Sequence, residues 1–421
     1  MASVAAGVTI THTWGHAGFA WYGTCLGVIL AAKLVLALGK PRAYPHGAPQ
    51  GLRVGVVIPA YNEDPTAFAA CLASLDAQTY SPDVVVIVDD ASSDRRAADL
   101  AQNWMDTRPH AEFMQAPENR GKRHAQAAAF KDHPGVDIWV TVDSDTILEP
   151  DAIRQGLRPF HDPKVTATTG TVLALNPLDG ILPALIDIRY ANAFLGDRAA
   201  QSRLGAVLCC CGSLSFWRAE VIHANLTDWL GQTFMGQPAT FGDDRRLSRY
   251  AGDAGRVVLA RDSIARTAVP TRFGHYLRQQ ARWGRSFWRE SYLMLTTGSP
   301  RRVGWWLTVV ELVTTVAFTF GMAAALIVGP LSGRWSAVGA YVGWVAVTAW
   351  ARSVHVFAVR GRGSLWRTAV AFLVAPLYGV LTLGVLLPLR VWSLLTLRSS
   401  AWGTRAGGVE VTADRALAGV S

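Results

Sequence analysis

Short apolar runs rich in β-branched residues alternate with helical stretches through the middle of the chain, and long apolar stretches hold both ends. Val54-Gly-Val-Val-Ile-Pro59 and Val84-Val-Val-Ile-Val88 read as buried strands with a helix over 65–77 between them. Ile138-Trp-Val-Thr-Val142 supplies another strand. This βαβ rhythm predicts an α/β domain with a mostly parallel sheet. Each of these strands ends in polar residues, and ligands of open α/β sheets bind just beyond the carboxyl ends of the strands.

The run from Ala17 to Leu38 is interrupted only by Lys33, whose stem can snorkel to a membrane interface. It lacks the basic start and small-residue cleavage site of a signal peptide, so a retained helix is expected. Lys33, Lys40, Arg42 and Arg53 follow, which places the next segment on the cytoplasmic side and the amino terminus outside. Three further apolar stretches cover about 304–329, 335–359 and 366–397. Glu311, Arg352 and His355 within them are candidates for function or for headgroup level. Arg360, Arg362 and Arg367 put the loop between the last two inside. The last stretch, 32 residues with Pro376 and Pro388, exceeds one span and falls short of two. A kinked or re-entrant element followed by an interfacial helix would reconcile it with Arg390, Arg398 and Arg405 on the inside.

Composition sharpens this division. The 421 residues leave about 260 for a core domain between Pro41 and Pro300. Half of all residues are hydrophobic and mean hydropathy is positive, as in membrane proteins. The net charge of +9, from 40 basic and 31 acidic residues, gathers at 352–405 beside apolar runs and suits anionic lipid. No aromatic-basic nucleic-acid motif accompanies it, so no nucleic-acid partner is expected. Of the five cysteines, at 25, 71, 209, 210 and 211, three are consecutive. They form neither a disulfide framework nor a Cys-x-x-Cys zinc site and read as reduced thiols.

The strand ends carry the candidate chemistry. Pro59-Ala-Tyr61-Asn62-Glu63 offers a tyrosine that can stack on a base. Asp89 and Asp90 can accept from ring N–H or ribose hydroxyl donors, or cap the following helix. Asp143-Ser144-Asp145 sets two carboxylates where one divalent cation could meet them and a diphosphate; magnesium or manganese suits such oxygen ligands. Asn119-Arg-Gly-Lys122-Arg-His124 is a compact basic group able to face that diphosphate. It has no Walker A spacing. Gly242-Asp243-Asp244-Arg245 opens a helix, where a carboxylate is favoured in its ionised form and could serve as a general base or merely cap the helix. Gln279-Gln-Ala-Arg282-Trp283, with Arg285, Phe287, Trp288 and Arg289, puts aromatic and basic groups along an interfacial helix. Arg282 could engage a diphosphate and Trp283 could stack under a sugar ring.

Together these motifs resemble the membrane hyaluronan synthases of bacterial type, within the family-2 glycosyltransferases that also include cellulose, chitin and nodulation chito-oligosaccharide synthases. The resemblance runs from about residue 54 to Trp402-Gly-Thr-Arg405. It is most specific in Gly121–Gln126, Asp143–Thr146, Asp187–Phe194, Gln232–Phe234, Gly242–Arg245 and Gln279–Trp283. It implies a GT-A domain at 41–275, inserted between an amino-terminal transmembrane segment (1–40), an interfacial amphipathic helix (276–300), channel helices (301–400) and a tail (401–421). Tyr61, Glu63, Asp90, Lys122, Asp143 and Arg282 would bind the UDP-sugar. Asp143 and Asp145 would lie at Mg2+ or Mn2+, with Asp145 favoured as its direct ligand. Asp244 would be the catalytic base, with Asp243 and Arg282 beside it, and Cys211, Gly212 and Trp283 would meet the acceptor. Two features depart from the pattern: Cys211-Gly212-Ser213 stands where these synthases read Ser-Gly-Pro, and one amino-terminal helix stands where they have two.

The resulting expectation is a multi-pass cell-membrane enzyme with a cytoplasmic catalytic domain. It would polymerise hyaluronan from UDP-N-acetylglucosamine and UDP-glucuronate, binding the growing polysaccharide and membrane lipid, with no obligate protein partner. The alternative is a chitin or chito-oligosaccharide synthase using UDP-N-acetylglucosamine alone. Transfer of one sugar to a polyprenyl phosphate would not need Gln279–Trp283, and a non-enzymatic scaffold would not keep every acidic and basic position filled.

Overall fold

The computed structural model describes residues 23–358 and 365–399. The expectations placed on 17–22, on Arg360 and Arg362 and on the 401–421 tail with Trp402–Arg405 lie outside the described residues. Ten strands are present among the described residues: β1 (Val54–Ala60), β2 (Val84–Asp89), β3 (Ala111–Gln115), β4 (Ile138–Val142), β5 (Thr146–Leu148), β6 (Val165–Ala174), β7 (Leu214–Arg218), β8 (Thr233–Phe234), β9 (Gln237–Pro238) and β10 (Arg256–Thr267). Eight form one sheet in the order β3-β2-β1-β4-β7-β6-β10-β5, while β8 and β9 make a small hairpin. The pairing is parallel from β3 through β4 and again between β6 and β10, and β5 and β7 run against the rest. The mostly parallel sheet matches the expectation.

Both faces of the sheet are covered, which is why its central strands are apolar without a break. Val56, Ile58, Ile87 and Val140 face a layer holding Phe68 and Leu72 of the Pro65–Asp76 helix and Ala101 of the Arg96–Met105 helix. Val57, Val86 and Trp139 face the opposite layer, with Phe130 of the Lys122–Asp132 helix, Trp229 of Ala219–Leu230 and Leu247 of Asp243–Ala254. Each fully buried aliphatic or phenyl group contributes roughly 1.5–3 kcal/mol. Helices opening at Lys122 and Asp243 therefore start near the same edge, with their first turns beside the strand ends.

Among the described residues, two helices are long and apolar enough to cross a membrane by length and composition: Val303–Leu331 and Thr368–Leu395. Only 22% of either apolar window is buried within the chain, and Val313, Val316, Phe320, Leu373, Leu377 and Val380 project outward. The described part of the first apolar run, Gly23–Leu38, is shorter. Lys33 does not snorkel away: its Nζ lies 3.1 Å from Asp197, which also receives Arg352 at 2.8 Å.

The last apolar stretch is one continuous helical element, Leu365–Leu381, Thr382–Leu386 and Leu387–Leu395, so of the two expected forms, kinked or re-entrant, it does not take the re-entrant one. A π turn at Thr382–Leu386 precedes Pro388, and another at Ala324–Val328 precedes Pro330. Proline cannot donate to the carbonyl four residues back and crowds it; those carbonyls, of Gly384 and Leu326, lie in the widened turns. The helix therefore absorbs Pro388 without folding back.

Candidate active site

A cavity of about 680 Å³ begins at the carboxyl ends of β1 and β4 and continues between the apolar helices as far as Phe318, Val345 and Leu383. Tyr61, Glu63, Asp90, Lys122, Asp143, Asp145, Cys211, Gly212, Asp243, Asp244, Arg282 and Trp283 all line it. The residues that the resemblance assigned to donor, metal, acceptor and base are thus brought to one space, although they span more than 200 positions, whereas Asp89, His124, His355 and Gln232–Phe234 do not line it.

The loops at one end hold each other. Asn62, at φ 49°, donates its N–H to Ser92 Oγ at 2.8 Å and accepts on its Oδ1 from the N–H groups of Ser93 and Asp94. Glu63 accepts from the Tyr61 N–H at 3.2 Å, which fixes the tyrosine's approach to the cavity. Asp90 accepts from the N–H groups of Arg120 and Gly121 at 3.0 and 2.7 Å. Gly121 has φ 90°, a conformation that favours glycine, and lets the chain turn from this grip straight into the Lys122–Asp132 helix. Asp90 therefore positions the loop that delivers Lys122.

The basic run does not act as a block. Lys122 enters the cavity, where Nζ lies 2.5 Å from Asp143 Oδ1. Arg123 points inward on the helix and forms a buried ion pair with Asp243, while its Nη2 donates to Ala239 O at 2.6 Å. Asp243 is thus committed to Arg123, whereas its neighbour Asp244 turns toward the cavity. A side-chain carbon at Gly212 would stand 2.5 Å from Lys122 Nζ and 2.9 Å from Asp244 Oδ2, so only glycine leaves room for this approach.

Charge and burial set the protonation states. Burial pushes the Asp244 carboxyl up to about 6; Lys122 opposes this, while Asp143 and Asp243 add to it. Burial works against the Lys122 charge, but Asp143, Asp244 and Asp243 outweigh it and hold the ammonium above its ordinary range. Burial raises the Cys211 thiol to about 11, so it stays neutral beside the site. Asp244 is therefore ionised above about pH 6, and Lys122 is a fixed cation.

Asp143 and Asp145 offer an all-oxygen donor set. Asp143 Oδ2 accepts from Ser213 Oγ at 3.3 Å, and Asp145 Oδ1 lies 3.4 Å from Thr146 Oγ1 and 3.5 Å from Thr267 Oγ1. Two carboxylates flanked by hydroxyls fit a hard divalent cation.

Residues 49–286 match the family model described as Glycosyltransferase like family 2. The chain belongs to this family. This glycosyltransferase is 38% identical over 387 residues to a hyaluronan synthase of Streptococcus pyogenes, an alignment covering 90% of each chain. It is 36% identical over 363 residues to an N-acetylglucosaminyltransferase of Sinorhizobium fredii, covering 85% of each. Among solved structures it resembles a mannosyltransferase of Pyrobaculum calidifontis in complex with GDP-Man and Mn2+, with a TM-score of 0.54, 21% identity, and coverage of 89% of this chain and 97% of that one. That likeness is one of fold, the GT-A fold.

One wall of the cavity is built on the Phe273–Thr297 helix. Gln279, Gln280, Arg282, Trp283 and Ser286 face the cavity, and Trp283 remains 37% exposed. The same helix grips the end of the last apolar one: Trp288 Nε1 donates to Arg390 O at 2.9 Å, and Arg289 donates to the Leu397 and Ser399 carbonyls. Arg285 reaches Thr396 Oγ1 at 3.1 Å. The arginines after Trp283 are thus carbonyl caps and hydroxyl donors within the protein.

Several lining residues escaped the sequence reading. Thr267 had no motif to mark it, and Ser213 was read only as part of the Cys211–Ser213 departure. Glu311, by contrast, was a candidate for function or for headgroup level, and it accepts from Arg245 at 3.0 Å and Gln201 at 3.1 Å in the cavity wall. Arg189 also lines the cavity; it lies within the Asp187–Phe194 motif but was given no role of its own. A π segment, Asn192–Arg198, follows it and contributes Asn192, Asp197 and Arg198 to the same wall.

Proposed function

We propose that the protein is a processive, inverting glycosyltransferase that builds hyaluronan from UDP-N-acetylglucosamine and UDP-glucuronate and exports it. The observation that carries the reading is the unbroken cavity from Lys122 and Asp145, past Asp244 and Trp283, into the space between apolar helices. A single-transfer enzyme needs no such path for a lengthening product. The identity with the Streptococcus pyogenes hyaluronan synthase supports the choice of two sugars.

Donor binding falls to Tyr61, Glu63, Asp90, Lys122, Asp143 and Arg282. Tyr61 stacks on the uracil, Asp90 and Glu63 hold the loops around it, and Lys122 and Arg282 oppose the diphosphate charge. A magnesium or manganese ion held by Asp145, with Asp143, would neutralise the departing diphosphate. Trp283 stacks under the acceptor sugar, with Cys211 and Gly212 opposite. Asp244 takes the proton of the acceptor hydroxyl as that oxygen bonds to the anomeric carbon and the bond to UDP breaks, inverting the configuration. Asp243 keeps Asp244 in place through its pair with Arg123.

We place the enzyme in the cell membrane as a multi-pass protein. Lys40, Arg42 and Arg53 after the first apolar helix favour a cytoplasmic catalytic domain. Lipid surrounds Val303–Leu331 and Thr368–Leu395, and no obligate protein partner is required, because one chain supplies donor, acceptor and exit residues.

The Cys211-Gly212-Ser213 departure, with the Sinorhizobium fredii relative, favours chitin-type synthesis as the second reading. Purified enzyme given both nucleotide sugars and magnesium should make a high-mass polymer that a hyaluronan-specific lyase degrades. Equal polymer yield without UDP-glucuronate would establish the second reading instead.

A further inference from the structure

Most cations lining the cavity beyond the donor end already have acidic or carbonyl partners. Lys33 and Arg352 share Asp197, Arg245 pairs with Glu311 at 3.0 Å, and Arg198 donates to Cys209 O at 2.8 Å. Arg189 and Arg390 differ. Neither forms a salt bridge among the described residues, and Arg189 Nη1 is buried without a hydrogen-bond partner. Arg390 has only a 3.3 Å bond to Thr315 Oγ1 for its guanidinium. A cation enclosed by protein without a counter-charge costs stability, and such a group persists where a ligand supplies the missing anion.

Their placement shows where the anion would lie. Arg189 Cζ stands 5.4 Å from the centroid of the Trp283 ring, and Arg390 Cζ stands 4.5 Å from that of Phe287. Trp283 and Phe287 are four residues apart on one helix, hence neighbours along a single face. Arg390 also lies within electrostatic reach of Arg189 and of Glu311, whose carboxylate is engaged by Arg245 at 3.0 Å. The two guanidiniums thus flank the acceptor path one helical turn apart, each backed by an aromatic ring that keeps it in place without neutralising it.

We infer that Arg189 and Arg390 form a carboxylate-reading site on the acceptor path, which engages the uronate groups of the growing chain just beyond Trp283. The inference rests on the proposed hyaluronan chemistry. Guanidinium forks match carboxylates in two-pronged geometry, and a neutral N-acetylglucosamine polymer offers them nothing comparable. The pair would favour an acceptor that carries one uronate per disaccharide, and so tie the enzyme to an alternating product.

Binding of hyaluronan and chitin oligosaccharides of equal length to the purified full chain, measured by calorimetry, tests this directly. The wild type should prefer the charged oligosaccharide. Arg189→Gln with Arg390→Gln should lower hyaluronan-oligosaccharide affinity by about 10- to 100-fold, the range for hydrogen bonds to charged groups, and leave chitin-oligosaccharide affinity unchanged. Arg189→Lys with Arg390→Lys should keep part of the preference, since the charge remains. Equal losses for both oligosaccharides, or no loss for either, would overturn the site. Failure of the two-sugar reading is separable, because it would appear in the wild type as polymer formed without UDP-glucuronate.

Discussion

Asp244→Asn should reduce sugar transfer by about 10²- to 10⁴-fold, the range for removal of a general base, while UDP-sugar binding persists. The substitution is nearly isosteric, so it spares the close approach of Gly212 and Lys122 to this position. It also leaves the Arg123–Asp243 pair that anchors the start of the Asp243–Ala254 helix. What disappears is the ability to accept a proton. A rate within tenfold of wild type would refute the assignment, and loss of UDP-sugar binding would move Asp244 to the donor site.

The pH profile offers an independent reading of the same residue. A base must be ionised to act, and burial lifts Asp244 to about 6. The wild-type transfer rate should therefore fall about tenfold per unit as pH drops below 6 and level off above it. The residual activity of Asp244→Asn should lack that limb. An unchanged acid limb in the variant would assign the titration to another group.

How much of this was legible in the sequence follows from how each element is buried. β1, β2 and β4 are covered on both faces, so their apolar runs stand out, and the polar residues at their ends mark the cavity. β6 is equally buried, but its Val-Thr-Ala-Thr-Thr-Gly-Thr run carries hydroxyls that satisfy each other and nearby carbonyls, as Thr168 does with Gly156 O at 2.9 Å. Such a strand lacks the apolar signature and passed unread. Arg123 was grouped with Lys122 because they are adjacent, yet a helix sends neighbours to different sides, and only the fold reveals Asp243 waiting 120 positions on. Lys33 likewise met Asp197 across 164 positions, which no local pattern could announce.

Asp145→Asn should lower metal-dependent UDP affinity on the order of 100-fold or more and abolish turnover, since even outer-shell partners of a metal typically cost 10–100-fold. The prediction depends on Asp145 differing from Asp143. Asp143 already meets Lys122 at 2.5 Å and Ser213 at 3.3 Å, so part of its carboxylate answers to protein groups. Asp145 Oδ1 lies 3.4 Å from Thr146 Oγ1 and 3.5 Å from Thr267 Oγ1, hydroxyls that suit the surroundings of a hard cation. An amide keeps the shape of the carboxylate and its neutral oxygen but removes the charge that a hard cation requires. Calorimetric titration of UDP with manganese present, and again after chelation, separates the two contributions. Wild-type affinity should collapse on chelation, and Asp145→Asn with manganese should resemble the chelated wild type. UDP affinity in Asp145→Asn equal to wild type in manganese would remove Asp145 from the metal site and leave Asp143 to hold the cation in competition with Lys122.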